Sequence, residues 1–479
     1  MNFGYKKIYM NGELTDSVEK ERKKVICPGT GQAVAEVAWA GKEDALSALK
    51  SAEAGFKTWS AMTINQRLDW MMQLRAAIIE KEEQLREAVM YEMGKTYDQA
   101  YEDFEAIVNA LEWYPQEMKH RRDEIIPDTE GTHMHKIVSY PAGVAVGYIA
   151  WNFPLLNLAF KMGPALAAGC SLIIKPSGNS PLSAYMIGEI AHSIQFPAGV
   201  INIVAGTNSE VAHTLSSSKI PKVITMIGSS KSGRLAMEQA VTSIKRFSME
   251  LGGNAPAIVF DDTDLEQVVA EMAAVKFGNA GQICVSPNRI FVHQKVYDRF
   301  VRLFVQQVKN LKVGFGRNIA VDMGPIVDEK SRKRIIELAE DTINEGAKLE
   351  CGGKIHEDKG EGFFYEQTVF SGVTLDMRIF QEEIFGPLAG IIRFESEEEV
   401  IGMANQTESG LSSYLYTRDV DRINRISGKL EAGEVHVNGF KYSIYLPHGG
   451  VKESGVGHDC SHLALDDYLV KKRVTITLK

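Results

Sequence analysis

Cysteine is scarce in this chain: five residues in 479, at positions 27, 170, 284, 351 and 460, with no C-x-x-C pair among them. That excludes a disulfide-stapled scaffold and fits a reducing compartment. Basic runs are lacking too. Lys and Arg total 53 against 62 for Asp and Glu, a net charge of −9, and the longest basic cluster, Lys119-His120-Arg121-Arg122, is followed at once by Asp123-Glu124. Neither nucleic acid nor an anionic membrane is therefore an expected partner. Long uncharged stretches are missing with one exception, the run from Tyr140 to Phe160, which has the length of a membrane span. It contains Pro141, Gly143, Gly147, Asn152, Pro154 and Asn157, whose breaks and amides lipid would leave unsatisfied. A buried strand turning into a helix is expected instead. The opening residues MNFGYKKIYMNGE hold no apolar run of the kind a secretion signal needs, so the expected compartment is the cytoplasm. Internal repeats, low-complexity tracts and a clear flexible linker are also absent.

What is present is an ordinary globular composition, 44% hydrophobic and 24% charged, in a chain long enough for two or three cored domains. Residues 43–120 read as helices. Leu68, Met71, Met72, Leu74, Ile78, Ile79, Leu85 and Val89 fall at the spacing of an amphipathic pair. From residue 144 the rhythm alternates strand and helix. The expected strands are 144–150, 171–175, 201–204, 222–227 and 245–251, and one intervening helix opens with Ser180 as polar cap and Pro181 at its first position. Crossovers of this length call for a mostly parallel, doubly wound sheet. A second series begins with a strand at 257–260, a helix at 265–277, a strand at 289–293 and a helix at 297–308, and it predicts a second α/β domain reaching to about residue 450. Two further strands, 133–138 and the alternating tail 470–478, lie outside both cores and suit assembly.

Ligands of doubly wound sheets collect beyond the carboxyl ends of the strands. Four such ends carry residues with chemical capacity: Trp151-Asn152-Phe153-Pro154, Lys175-Pro176-Ser177, Gly228-Ser229-Ser230-Lys231-Ser232-Gly233 and Glu250-Leu251-Gly252-Gly253. The third could bring backbone N–H groups to a phosphate. It is neither G-x-G-x-x-G nor a Walker loop, because Arg234 follows the second glycine, and a plain turn fits it equally. Phe247, Met249 and Leu251 share one strand face, so Glu250 faces away from the apolar side and stands at the ligand edge. Cys284, in Gly281-Gln282-Ile283-Cys284, reads as a small core residue as readily as a nucleophile, and Asn152 beside Pro154 fits a turn amide.

Taken with Glu382-Glu383-Ile384-Phe385-Gly386-Pro387 and Gly449-Gly450-Val451-Lys452-Glu453-Ser454-Gly455, these motifs stand in the order found in the NAD(P)-dependent aldehyde dehydrogenase superfamily, which the chain resembles over almost its whole length. The resemblance implies an aldehyde dehydrogenase-like α/β fold. Residues 1–122 and 142–252 would form a Rossmann-type dinucleotide-binding domain, 253–452 a catalytic domain, and 123–141 with 453–479 a β-arm joining copies into a homodimer or homotetramer. It implies irreversible oxidation of a small aldehyde to its carboxylate without a metal. Cys284 would be the nucleophile that forms a thiohemiacetal and then a thioester. The Asn152 amide and the Cys284 backbone N–H would hold the oxyanion, and Glu250 would activate the hydrolytic water. For the nucleotide it implies Lys175 at the adenosine ribose or its phosphate, with Ser177 and Gly178 beside it. Gly228 and Ser229 would lie at the pyrophosphate, Trp151 along the phosphates, and Glu383 and Phe385 at the nicotinamide ribose and ring.

Departures from the family pattern sharpen the expectation. NAD-preferring members often carry Glu three positions after the lysine; here Gly178 stands there, so no carboxylate repels a 2′-phosphate and the lean is to NADP over NAD. The Lys452-Glu453-Ser454-Gly455 tail and Ala167-Ala168-Gly169-Cys170 resemble succinic semialdehyde dehydrogenases. Those commonly grip a carboxylate with arginines at positions that hold Phe160 and Gly278 here. A short neutral or hydroxylated aldehyde is the expectation, succinic semialdehyde the alternative. Phe153 and Phe160 would line the substrate entrance, and His448 would hydrogen-bond a substrate hydroxyl. His133-x-His135 and His458-x-Cys460-x-His462 lack the spacing of a familiar zinc site and read as structural. A nucleotide-free cysteine hydrolase would need a histidine base beside Cys284, and the resemblance supplies none. CoA-dependent acylation is disfavoured by Glu250.

Overall fold

The computed structural model describes residues 1–478. The helical spacing ahead of residue 120 yields four helices, Lys42–Ala61, Ile64–Ile79, Glu82–Met93 and Ala100–His120, where the periodicity had suggested a pair. Thr63 and Gln66 cap the second reciprocally, and Gly94 ends the third in the left-handed conformation at φ 86°. Trp59, Met71, Leu74, Ile78, Leu85 and Val89 are buried, so these helices form one wall of the first core rather than a separate bundle.

The uncharged run resolves into strand Val144–Tyr148 and helix Pro154–Ala168, both buried. Pro154 takes the helix's first turn, where no N–H is needed. No helix among the described residues is long and apolar enough to cross a membrane. The first sheet has eight strands, in the order Gly455–Val456, Arg246–Glu250, Pro221–Ile227, Val144–Tyr148, Ser171–Lys175, Ile201–Ile203, Ile8–Met10 and Glu13–Thr15. The middle five pair in parallel, and both flanks are antiparallel. Counted along the chain, the parallel strands run 3-2-1-4-5, the dinucleotide-binding order, with its switch point between Val144–Tyr148 and Pro221–Ile227.

Helix Leu182–Ser193 is capped from a distance. Ser180 donates its hydroxyl to the Trp151 carbonyl instead of capping. The buried Glu92 carboxylate accepts from the Leu182 and Ser183 N–H groups at 2.6 and 3.0 Å. A second acid fixes helix Pro154–Ala168. Asp103 accepts from the Leu155 and Leu156 N–H groups and pairs at 2.6 Å with Lys95, both side chains fully buried. The Lys95 ammonium lies over the Phe153 ring. Removing one partner would strand a charge out of water, so this pair pins the turn that carries Asn152.

The second sheet has seven strands, ordered Lys348–Cys351, Thr368–Ser371, Leu388–Phe394, Pro287–His293, Ala255–Val259, Ser412–Tyr416 and Glu434–Val437, all parallel except the first. A third sheet pairs Leu469–Thr477 with His133–Pro141 over nine residues and adds Glu124–Ile126 on the other side. The arm strand thus begins at Leu469, not at 453. Gly455–Val456 pairs with Arg246–Glu250, and Ala464 and Leu465 are buried in the first core. The corrected boundary follows from burial, because the residues from Ser454 to Tyr468 bring apolar side chains and a strand edge that the first domain uses.

Candidate active site

A strained turn delivers Cys284. Helix Leu265–Phe277 gives way to Asn279, Ala280 and Gly281 with φ of 48°, 55° and 71°, a conformation costing about 1–2 kcal/mol for a residue with a Cβ. The buried Gln282 side chain holds it: Nε2 donates to the Asn279 and Pro325 carbonyls, and Oε1 accepts from the Val327 N–H. Glycines let other backbone close on this turn. A Cβ at Gly281 would lie 2.1 Å from the Gly386 carbonyl oxygen, and one at Gly253 would lie 2.2 Å from that of Cys284.

Cys284 opens into a cavity of about 680 Å³ that Asn152, Phe153, Phe160, Glu250, Gly278 and His448 also line. The Asn152 amide is fixed from both ends. Its Oδ1 accepts from Asn157 Nδ2 at 3.2 Å, and its Nδ2 donates to the Gln282 carbonyl at 3.2 Å. One Nδ2 hydrogen is left for a substrate oxygen. Glu250, 3% exposed, ends its strand and is clamped by the tail motif: Leu251 N–H donates to the Ser454 carbonyl, and Ser454 Oγ donates to the Gly252 carbonyl. Its Oε1 is buried and accepts no hydrogen bond. Burial and the Glu250 carboxylate push the Cys284 thiol up to about 12, against a downward pull from His448. A neighbouring base must take its proton.

His448 stands among ionisable protein groups on the cavity wall. Its Nδ1 is spent on Glu434 Oε1 at 2.5 Å, and its Nε2 stands 3.3 Å from Glu250 Oε1. Ligand atoms of Glu250, Cys284 and His448 all lie within 4.8 Å of one another. Both ring nitrogens therefore have protein carboxylates beside them, and a histidine does stand beside Cys284, where the resemblance supplied none. Burial lowers the His448 pKa, but Cys284, Glu250 and Glu434 outweigh it and raise it well above the usual imidazole value. Burial likewise opposes ionisation of Glu434, yet His436 and His448 hold its carboxyl at about 2. Sequence reasoning missed Glu434, Asn157 and Gln282. Asn157 alone gave a signal, as an amide in the turn after Asn152.

The residues expected at the nucleotide lie at or beyond the carboxyl ends of strands Val144–Tyr148, Ser171–Lys175 and Pro221–Ile227, with Glu383 and Phe385 between helix Arg378–Gln381 and strand Leu388–Phe394. Lys175 Nζ donates to Asn208 Oδ1, and burial with the nearby Lys23 lowers its pKa to about 8. A Cβ at Gly178 would meet Lys23 Nζ at 2.6 Å, and that ammonium lies over the Trp39 ring. Two mutually repelling cations beside a bare glycine fit a phosphate; Lys23 too went unread in the sequence. Ser177 accepts from the Asn179 N–H. Ser229 caps helix Ser230–Gln239 by accepting from the Ser232 N–H, and Gly228 N–H donates to the Glu250 carbonyl. Glu383 accepts from the Gly253 N–H at 3.0 Å, and burial raises its carboxyl to about 7. Phe385, at φ 48°, sets its ring edge-on to Trp151 at 5.3 Å.

Comparison with known proteins identifies the family. Residues 14–474 match the model of the aldehyde dehydrogenase family. The chain is 37% identical to succinate-semialdehyde dehydrogenase [NADP(+)] of Escherichia coli, over 98% of this chain and 97% of that one. It is 36% identical to 3-sulfolactaldehyde dehydrogenase of Pseudomonas putida, over 98% and 96%. A solved structure of 3,6-anhydro-L-galactose dehydrogenase in complex with NAP superposes with a TM-score of 0.96 at 34% identity, over 99% of this chain and all of that one.

Proposed function

This chain belongs to the aldehyde dehydrogenase family, and from that premise we propose that it oxidises a short, neutral, hydroxylated aldehyde to its carboxylate with NADP. The observation that carries the reading is the meeting, in one cavity, of the Cys284 thiol, the unpaired Glu250 carboxylate oxygen and the oriented Asn152 amide.

The chemistry follows from what each group can do. Glu250 takes the thiol proton, and the sulfur adds to the aldehyde carbon. Asn152 Nδ2 and the Cys284 N–H receive the oxygen as it gains charge. A bound NADP would supply the acceptor for the hydride from the former aldehyde carbon, and Cys284 would then carry a thioester. Glu250, once it has passed the thiol proton on to solvent, removes a proton from water attacking that thioester; the C–S bond breaks, the carboxylate departs and Cys284 is free again. Lys175, Lys23 and the room at Gly178 would receive the 2′-phosphate, the helix N-terminus after Ser229 the pyrophosphate, and Glu383 the nicotinamide ribose.

The tail end of the substrate is read from the cavity wall. Gly278 and the apolar Phe160 offer no guanidinium, and no arginine is among the lining residues; of the two lysines there, Lys95 is spent on Asp103, and Lys441 shares the wall with the competing charges of Glu102 and Glu105. A second carboxylate on the substrate would find no fixed bidentate partner; hydroxyl groups would meet Gln99, Asn109 and Ser443. Lactaldehyde or glycolaldehyde is expected to exceed succinic semialdehyde in kcat/KM by about tenfold or more, the worth of one lost charge-assisted hydrogen bond. NADP is expected to exceed NAD by a similar factor. A panel of aldehydes scanned against both coenzymes, read as reduced nicotinamide, checks both, and the reverse orders would sink the substrate and cofactor readings separately.

The arm supports assembly. Its strands expose Ile125, Tyr140, Val470 and Ile476 on a small sheet outside both cores, apolar side chains that a subunit contact would cover. A homodimer or homotetramer is the proposed state, and analytical ultracentrifugation returning a monomer would exclude it. All five thiols are free, in keeping with a cytoplasmic location.

A further inference from the structure

We propose that Cys284, His448 and Glu250 form a three-ligand Zn²⁺ site whose occupation switches the enzyme off. Among the described residues these three bring one sulfur, one ring nitrogen and one carboxylate oxygen within 4.8 Å of one another. Three protein ligands of this kind with an open fourth position are a usual borderline-metal arrangement.

The distances suit the ion. Tetrahedral Zn²⁺ with ordinary Zn–N and Zn–O bonds sets nitrogen and oxygen about 3.3–3.5 Å apart, and His448 Nε2 stands 3.3 Å from Glu250 Oε1. While the ring is protonated this contact is an ion pair; once Nε2 gives up its proton, the two atoms present lone pairs at the separation that two ligands of one cation have. The sulfur would need to close by at most about 1.3 Å to reach bonding separation.

The outer partner is also in place. His448 Nδ1 is bonded to Glu434 Oε1 at 2.5 Å, the carboxylate–histidine pairing that fixes a metal-binding ring and strengthens its other nitrogen as a ligand. Cys284 is partly exposed within the large cavity, so an ion has a route in. On binding, the Cys284 thiol and the His448 Nε2 each give a proton to solvent, and Zn²⁺ takes the thiolate and the freed ring lone pair; no redox step is involved. The nucleophile and the base are then held by one cation. Only the inhibitory consequence rests on the proposed dehydrogenase reading; the binding itself does not.

The test uses the full-length protein free of nucleotide. Equilibrium dialysis against Zn²⁺ should return one tightly held ion per chain, and Co²⁺ in its place should give a sulfur-to-cobalt charge-transfer band. C284S should abolish the band. H448F and E250Q should each weaken Zn²⁺ binding by about tenfold or more, and E434Q, which removes no ligand, by about 10–100-fold. With any aldehyde that turns over, Zn²⁺ should inhibit reversibly and EDTA should restore the rate. An undiminished Zn²⁺ affinity in C284S would place the ion elsewhere, and unchanged affinity in both H448F and E434Q would reduce it to a simple thiol adduct; either result overturns the proposal. If no aldehyde in the panel turns over, the dialysis and cobalt measurements still decide the metal site, so the two readings fail separately.

Discussion

Replacing Cys284 with serine is expected to lower kcat by about 10⁴-fold or more while leaving nucleotide binding intact. The two side chains differ by one atom, so packing in the turn held by Gln282 should survive. What is lost is a nucleophile that can be deprotonated. Burial and Glu250 already oppose ionisation of the thiol, and a hydroxyl in the same place starts from a far weaker acid. Asn152 and the backbone N–H would remain, so some carbonyl polarisation persists without a competent attacking atom. Steady-state turnover together with a direct NADP titration checks this. Full-rate turnover in the variant would remove the sulfur from the mechanism, and loss of nucleotide binding would mean the change acted through the fold.

Glu250→Gln is expected to separate the two halves of the reaction. The amide keeps the shape of the buried side chain but cannot accept a proton, so hydrolysis of the thioester should slow by about 10²–10⁴-fold. The first half keeps other support, because the His448 ring faces the same sulfur and, charged and backed by Glu434, stabilises the thiolate while the proton passes to solvent. Rapid mixing should therefore show a burst of about one reduced nicotinamide per active site, followed by near silence. Intact mass spectrometry should find the acyl group on Cys284. A variant that turns over at the parent rate would strip Glu250 of its role, while a missing burst with no acyl adduct would show that His448 cannot sustain the first half.

Much of the architecture was legible because local repeats report it. Helix Leu265–Phe277 lies where its apolar period set it, and strands Ser171–Lys175 and Pro287–His293 stand within two residues of their expected positions. The uncharged run was read correctly as a strand and a helix because its prolines and amides argued against lipid. The misreadings share a cause. Ser180 was expected to cap a helix that Glu92 caps, and the tail was assigned to the arm from residue 453 although it first adds a strand to the other sheet. In each, a group distant in sequence won the contact.

The same division runs through the site. The order of its motifs, through the resemblance they carry, singled out Cys284, Glu250 and Asn152, and the fold brings the three to one cavity, Glu250 ending a strand and the other two lying a few residues past a helix and a strand. Which atoms those side chains face was decided only by packing. His448 looks toward the sulfur because Glu434, 14 residues earlier, holds its other nitrogen. The phosphate corner is cationic because Lys23, on an N-terminal strand, reaches over Trp39 to Gly178. Backbone periodicity is a property of neighbours along the chain, whereas the charge and direction of a buried group depend on whatever the fold brings against it, and no local pattern encodes that.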